Sequence, residues 1–325
     1  MITLLKNNLI LSPFFLAVLA FVLRIAGIIN PQMYILKESD GFLYTVIYNC
    51  ILNPLGQSIL CTVLIIFQAI WINKIVIEHR LIEGANYLPA FLYIILMSLV
   101  PDFLSLHPFI IGNTFFVLAV GEIASTYKKA KVSGTVFNIG LLISLSSLIY
   151  FPFAVFYFFA SLALMVIRSY NILERVQLFF GFLTPYYALA MLLFWRGELN
   201  SLFTDYVWAN IYFPRGLFSL DKFYVITLSI ALLIVVFSLF SYGAMIRKKG
   251  IQIEKITDIL YWIFIFAFLG IFFWQDLSIY HYLLLAFPAS VVFANNLFLI
   301  KNLALAEILG LSLVLGVFAI HFILI

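Results

Sequence analysis

Charge is scarce in this chain. Of its 325 residues, 18 are Lys or Arg and 14 are Asp or Glu, so charged side chains make up 10% of the sequence. A soluble domain carries about 25%, and no charged stretch here is long enough to form one. Cysteine is nearly absent. Cys50 and Cys61 are the two in the chain. Their spacing is not that of a metal pair, and they read as unpaired thiols in apolar surroundings. The common catalytic motifs are missing too. There is no Walker A loop, no His-Glu-x-x-His and no Gly-x-Ser-x-Gly, which removes the nucleotide-phosphate cradle, the zinc-protease helix and the hydrolase nucleophile elbow. No apolar run carries paired interior acids and bases, as a proton relay would. No internal repeat or low-complexity tract is apparent.

What remains is apolar. Hydrophobic residues are 65% of the chain and aromatics 18%, and the mean hydropathy is +1.16. Many apolar runs approach twenty residues, the length that crosses about 30 Å of hydrocarbon at 1.5 Å per residue. The expected fold is all-α, a polytopic transmembrane helix bundle of about eleven spans forming a single transmembrane domain over 1–325. The spans are placed at 9–29, 57–78, 87–104, 108–125, 134–150, 152–168, 176–195, 223–246, 257–274, 279–298 and 304–324. The first is too long for a signal-peptide core of ~7–15 residues and reads as an uncleaved span. Tight turns are expected at Pro101–Pro108, Tyr150–Pro152 and Gln275–Ser278, the first two carrying prolines, which end helices.

Basic residues are unevenly shared between the connections. With the N-terminus in the cytoplasm, thirteen lie inside: Lys6, Lys74, Arg80, Lys128, Lys129, Lys131, Arg168, Arg175, Arg247, Lys248, Lys249, Lys255 and Lys301. Five lie outside: Arg24, Lys37, Arg196, Arg215 and Lys222. Such an excess is the positive-inside signature. It implies a multi-pass protein of the bacterial inner membrane with a periplasmic C-terminus. Two outer segments, 30–56 and 197–222, are longer than turns and read as periplasmic interfacial helices. In the first, Phe42, Leu43, Val46, Ile47 and Ile51 form the apolar face; in the second, Leu199, Leu202, Phe203, Tyr206 and Val207 do.

Chemistry would have to sit in those outer segments. Glu38 and Asp40 are two carboxylates beside Gly41, a residue that lets the chain bend. They suit a general base or the binding of a divalent cation, and equally the capping of a helix. Asp102 and His107 flank the next outer turn, either as a second acid and base or as a capped turn. Tyr280, His281 and Tyr282 open the tenth span. Arg24, Arg196 and Arg215 match phosphate oxygens, or snorkel to lipid headgroups. No resident metal or other cofactor is expected.

Joined together, these pieces resemble the GT-C superfamily of polyprenyl-phosphate-dependent glycosyltransferases. Leu23-Arg24-Ile25-Ala26-Gly27 through Lys37-Glu38-Ser39-Asp40-Gly41-Phe42-Leu43-Tyr44 is similar to that family's span-end arginine and acidic first outer loop. Leu88-Pro89 to Val120 looks like its third and fourth spans, with Asp102 in the turn. Gly140 to Pro152 resembles its fifth span. Tyr280-His281-Tyr282-Leu283 to Pro288-Ala289 is similar to its late basic-Tyr-x-Leu pattern. The composition, rich in Phe, Ile and Tyr, is also similar to that of Bacteroidota membrane proteins.

The resemblance implies sugar transfer from a polyprenyl-phosphate donor to a periplasmic or lipid acceptor. Asp40 or Glu38 would be the catalytic base. Arg24, Asp102, His107, Arg196, Arg215, Tyr280 and His281 would bind substrate. Two alternatives stand beside it. His281 occupies a place where Lys or Arg is usual, which fits a non-catalytic GT-C-like scaffold or envelope-complex subunit. Polar spots at Asn113, Asn138 and Ser144, Ser146 and Ser147 would suit a lipid or small-molecule transporter. The expected partners are membrane lipids, the polyprenyl-phosphate lipid and other membrane proteins, and no nucleic acid.

Overall fold

The computed structural model describes residues 1–7, 10–37, 40–208, 210, 222–247, 249–271 and 279–324. Among these no strand occurs. The helices are α1 (Ile2–Asn7), α2 (Leu11–Leu23), α3 (Ile25–Ile29), α4 (Phe42–Cys50), α5 (Pro54–Glu78), α6 (Leu88–Leu96), α7 (Pro108–Ser125) and α8 (Ser133–Ile149). They continue as α9 (Phe156–Ile167), α10 (Ile172–Arg196), α11 (Leu199–Ser201), α12 (Lys222–Ile246), α13 (Ile251–Ile271), α14 (Ala286–Leu299) and α15 (Leu303–Leu324). Short 3₁₀ turns cover Pro101–Leu104, Phe151–Val155 and Ile279–Leu285, and a π-helical stretch covers Leu202–Trp208.

Local chemistry sets several ends. Asn53 accepts from the Leu55 amide and Pro54 opens α5; Asn171 does the same for Leu173 at α10. A proline at the first position forfeits only an amide that had no helical partner. Gly197 ends α10 with φ 74°, the left-handed conformation that suits glycine.

Among the described residues, five helical stretches are long and apolar enough to cross a membrane: Pro54–Glu78, Pro108–Ser125, Ile172–Arg196, Tyr282–Leu299 and Leu303–His321. Four shorter apolar helices accompany them, at Leu11–Leu23, Ser133–Ile149, Phe151–Ile167 and Leu232–Ile246. The outer faces of α10 and α15 are bare hydrocarbon. Phe194, Trp195, Ile308 and Leu315 are all exposed. Apolar surface of that extent suits lipid better than water.

α8 packs between α7 and α10. A Cβ on Gly140 would stand 2.2 Å from the Leu178 carbonyl oxygen, and one on Gly181 2.1 Å from that of Phe137. The α8 and α10 backbones therefore touch, and only small residues permit it. Across the other face, Ser146 Oγ donates to the Gly112 carbonyl at 2.6 Å. Where α5, α6 and α7 meet, Gln68 donates to the Ile110 carbonyl and to Thr114 Oγ1, while Tyr93 O–H and Asn113 Nδ2 donate to Gln68 Oε1. A buried amide needs such partners, because no water reaches it there.

Three expectations need adjusting. The run 9–29 is one apolar stretch, but its helix breaks at Arg24, whose φ of −104° and ψ of 11° separate α2 from α3. The run 87–104 stops being α-helix at Leu96. Its last amide bonds run from Met97 to Tyr93 and from Ser98 to Ile95, and Pro101, with no amide to offer the Met97 carbonyl four residues back, bars any return to α-helix across it. On α4 the buried residue is Tyr44, and Val46 is exposed. Phe42, Leu43 and Ile47 pack against the core as the apolar face implies, and Tyr44 joins that side with its hydroxyl reaching the Leu106 carbonyl at 2.7 Å.

Candidate functional site

The loop bearing Asp40 lies at the end of the bundle where α6 and α8 finish and α5, α7 and α14 begin. Gly41 seats it. The φ of −66° and ψ of 145° at Gly41 are open to any residue, so bending is not its purpose. A Cβ there would stand 2.1 Å from the Leu148 carbonyl oxygen and 2.5 Å from that of Ile149. The loop backbone lies directly on the end of α8.

Asp40 is clasped by its own loop. Its Oδ2 accepts from the Lys37 amide at 2.8 Å and its Oδ1 from the Tyr34 hydroxyl at 3.2 Å. The Asp40 amide returns a bond to the Lys37 carbonyl at 3.1 Å. Burial pushes the Asp40 carboxyl up from its ordinary value; the Lys37 amide and Tyr34 hydroxyl pull it back in part. Burial, and then the carboxylate of Asp40, push the Tyr34 phenol up as well.

Tyr34 links this loop to the next connection. Its ring meets His107 edge to face, with centroids 4.9 Å apart, and Tyr44 at 5.8 Å. His107 in turn stacks flat on Tyr280, at 3.6 Å and 13°, and meets Tyr150 at 5.4 Å. The His107 Nδ1 accepts from the Phe109 amide at 3.0 Å and so caps α7. A ring nitrogen that accepts carries no proton, so this bond places the proton of a neutral ring on Nε2. The Tyr280 hydroxyl donates to the Asp102 carbonyl at 2.6 Å and lies 3.1 Å from Ser105 Oγ. The Asp102 side chain itself is exposed. Beside this cluster runs a small groove lined by Gly27, Asn30, Gln32, Pro101 and Ser105.

Arg24 has a different setting. It is 1% exposed. Its Nη1 donates to the Met97 carbonyl at 2.9 Å and its Nη2 to the Phe103 carbonyl at 2.7 Å. Nη2 also reaches Cys61 Sγ at 2.8 Å, and Nε reaches Thr62 Oγ1 at 3.3 Å. Met97 is the residue whose carbonyl Pro101 left without a donor. The guanidinium replaces that missing helix bond, so its donors are turned inward, away from any phosphate at the surface.

The structure thus brings Asp40, His107 and Tyr280 together, with Asp102 joining through its backbone. Arg24 is at the same end but enclosed by α2, α5 and α6. Arg196 is exposed at the last position of α10. Glu38 and Arg215 lie outside the described residues, as does the side chain of His281, whose backbone belongs to the turn Ile279–Leu285. Among the described residues no group of three or more His, Cys, Asp or Glu side chains could hold a metal ion. Cys50 is exposed and Cys61 buried, and both are free thiols.

Sequence reasoning missed two participants. Tyr34 is the bridge between Asp40 and His107, and its loop position carries no periodic signal. Cys61 is an acceptor for Arg24, although nothing in its spacing marks it. Compared with known proteins, the chain matches no protein-family model, no curated protein and no solved structure.

Proposed function

We propose that this chain is a multi-pass protein of the bacterial inner membrane, built on the eleven-span GT-C plan, and that Asp40 is the base of a sugar transfer from a polyprenyl-phosphate donor. The observation that carries this reading is the meeting of Asp40, Tyr34, His107 and Tyr280 at one end of the bundle. An aspartate at its ordinary pKa is a weak base; one raised by burial abstracts a hydroxyl proton more readily. The acceptor hydroxyl would give its proton to Asp40 as it attacks the anomeric carbon. The departing lipid phosphate would be met by Arg215 and His281, since Arg24 is occupied. The gathering of basic residues at the opposite end of the bundle supports a cytoplasmic N-terminus and a periplasmic Asp40.

A second reading, a non-catalytic GT-C-like envelope-complex subunit, is favoured by a specific observation. Both carboxylate oxygens of Asp40 are engaged within its own loop. Transfer from a radiolabelled polyprenyl-phosphate sugar in proteoliposomes separates the two. Asp40→Asn keeps the clasp's shape and loses basicity, so transfer should fall by about 10²–10⁴ while lipid-phosphate binding persists. Donor untouched by wild type, or normal transfer by Asp40→Asn, would establish the second reading instead.

A further inference from the structure

A second polar site lies between α12 and α13, toward the end of the bundle opposite Asp40. It is an open pocket of about 340 Å³ lined by Leu239, Tyr242, Asp258, Tyr261, Trp262 and Ile265. The Tyr242 hydroxyl donates to Asp258 Oδ1 at 2.6 Å. The Tyr242 and Tyr261 rings meet at 87° with centroids 5.0 Å apart. Tyr261 is held in turn by its bond to the Ser238 carbonyl.

Asp258 forms no ion pair with any described residue. Lys249, just before α13, and Lys255, within it, donate elsewhere, to the Leu81 and Ile167 carbonyls. Asp258 stands where the polar first turns of α13 give way to its apolar stretch, and a carboxylate at that edge is costly without a cation. Here it stands among two tyrosines and a tryptophan, whose ring faces attract positive charge. The rim is apolar: Leu239 is 57% and Ile265 44% exposed.

We infer that this pocket binds the ammonium group of a zwitterionic phospholipid, with Asp258 supplying the countercharge and Tyr242, Tyr261 and Trp262 the aromatic walls. The lipid's acyl chains lie along Leu239 and Ile265. Arg247, exposed just past Tyr242, suits the headgroup phosphate. The apolar rim selects a lipid over a free amine, which would gain nothing from it. The site is remote from Asp40 and does not depend on sugar transfer there.

The test uses the full chain purified in detergent, with bound lipid read by native mass spectrometry. Phosphatidylethanolamine and phosphatidylglycerol of the same acyl composition are titrated in parallel. Wild type should retain the amine lipid preferentially. Asp258→Asn and Trp262→Ala should each weaken its binding about tenfold, as loss of a desolvated charge or cation–π partner does, and leave phosphatidylglycerol unaffected. Trp262→Phe, which keeps the packing, should lose less than Trp262→Ala, and Asp258→Glu should retain binding. Equal retention of both lipids by wild type, or unchanged affinity in both Asp258→Asn and Trp262→Ala, would overturn the site. Displacement of the lipid by ethanolamine at equal concentration would overturn the lipid as its occupant.

Discussion

The two ends of the bundle solve the same problem with different chemistry. Each helix finishes with carbonyls that have no helical donor. At the end away from Asp40, cations supply the donors. Arg168 donates to the Thr126 and Lys129 carbonyls, Lys255 to Ile167, Lys249 to Leu81 and Lys6 to Phe298. At the Asp40 end, tyrosine hydroxyls serve carbonyls of a helix end and of the connections between helices. Tyr44 donates to Leu106, Tyr206 to Ser147 and Tyr280 to Asp102. Arg24 is the exception, a cation sealed inside. The difference teaches that the uneven spread of basic residues has a local structural cause: several lysines and arginines cap helix C-termini, where the dipole favours them. It also leaves the half-buried Asp40 carboxylate beside tyrosine rings, that of Tyr34 and, next to it, that of Tyr44.

The comparison breaks first at Arg24. Arg24→Ala would leave the Met97 and Phe103 carbonyls buried without donors, in a place water does not reach. The expected cost is about 3 kcal/mol or more, seen as a large fall in the thermal unfolding midpoint in detergent. A midpoint within a degree or two of wild type would mean that the guanidinium is not replacing the missing helix bond.

A paired substitution sharpens the contrast between hydroxyl and cation donors. Tyr44→Phe removes one buried hydroxyl and strands the Leu106 carbonyl, costing about 1–3 kcal/mol. Lys255→Ala removes a donor that is only partly buried, and solvent or headgroups replace it, so about 0.5 kcal/mol is expected. Equal losses, or the reverse order, would show that the two ends are not built differently.

The smallest effect is a pH dependence at Asp40. Burial raises its carboxyl pKa, so the folded state favours the protonated form. That contribution is fully present below the unfolded value of about 3.9 and is lost as the pH rises through the raised folded value. Asp40→Asn titrates nowhere in this window. Its stability relative to wild type should therefore climb across the window and be flat on either side. A gap that stays constant from pH 3 to pH 7, or that shrinks as pH rises, would contradict the half-buried carboxylate.

Much of the architecture was legible in residue order alone. Pro101, Pro108 and Pro152 stand at the starts of helical segments, as a residue without an amide donor must. Long apolar runs became helices whose lipid-facing sides remain bare, because hydrocarbon requires every backbone group to bond within its own segment. His107 was recognisable as one of two things, a helix cap or a base, and it does cap α7. The break at Arg24 was not legible, since leucine and isoleucine on either side continue an unbroken apolar pattern. Nor was the burial of Tyr44 on α4, which hangs on its hydroxyl finding a carbonyl of a distant connection.

Composition and spacing by themselves determined that this chain is helical, apolar enough for a membrane, and marked by a small acidic loop. They did so because periodicity and proline chemistry act within a few residues. Only the tertiary structure decided what each polar group does. It turned Arg24 inward to a carbonyl orphaned by Pro101, pressed Gly41 onto the end of α8, and set Tyr34 between Asp40 and His107. Those outcomes depend on contacts between segments far apart in the chain, where hydrogen-bond geometry and close backbone approach decide which group meets which partner.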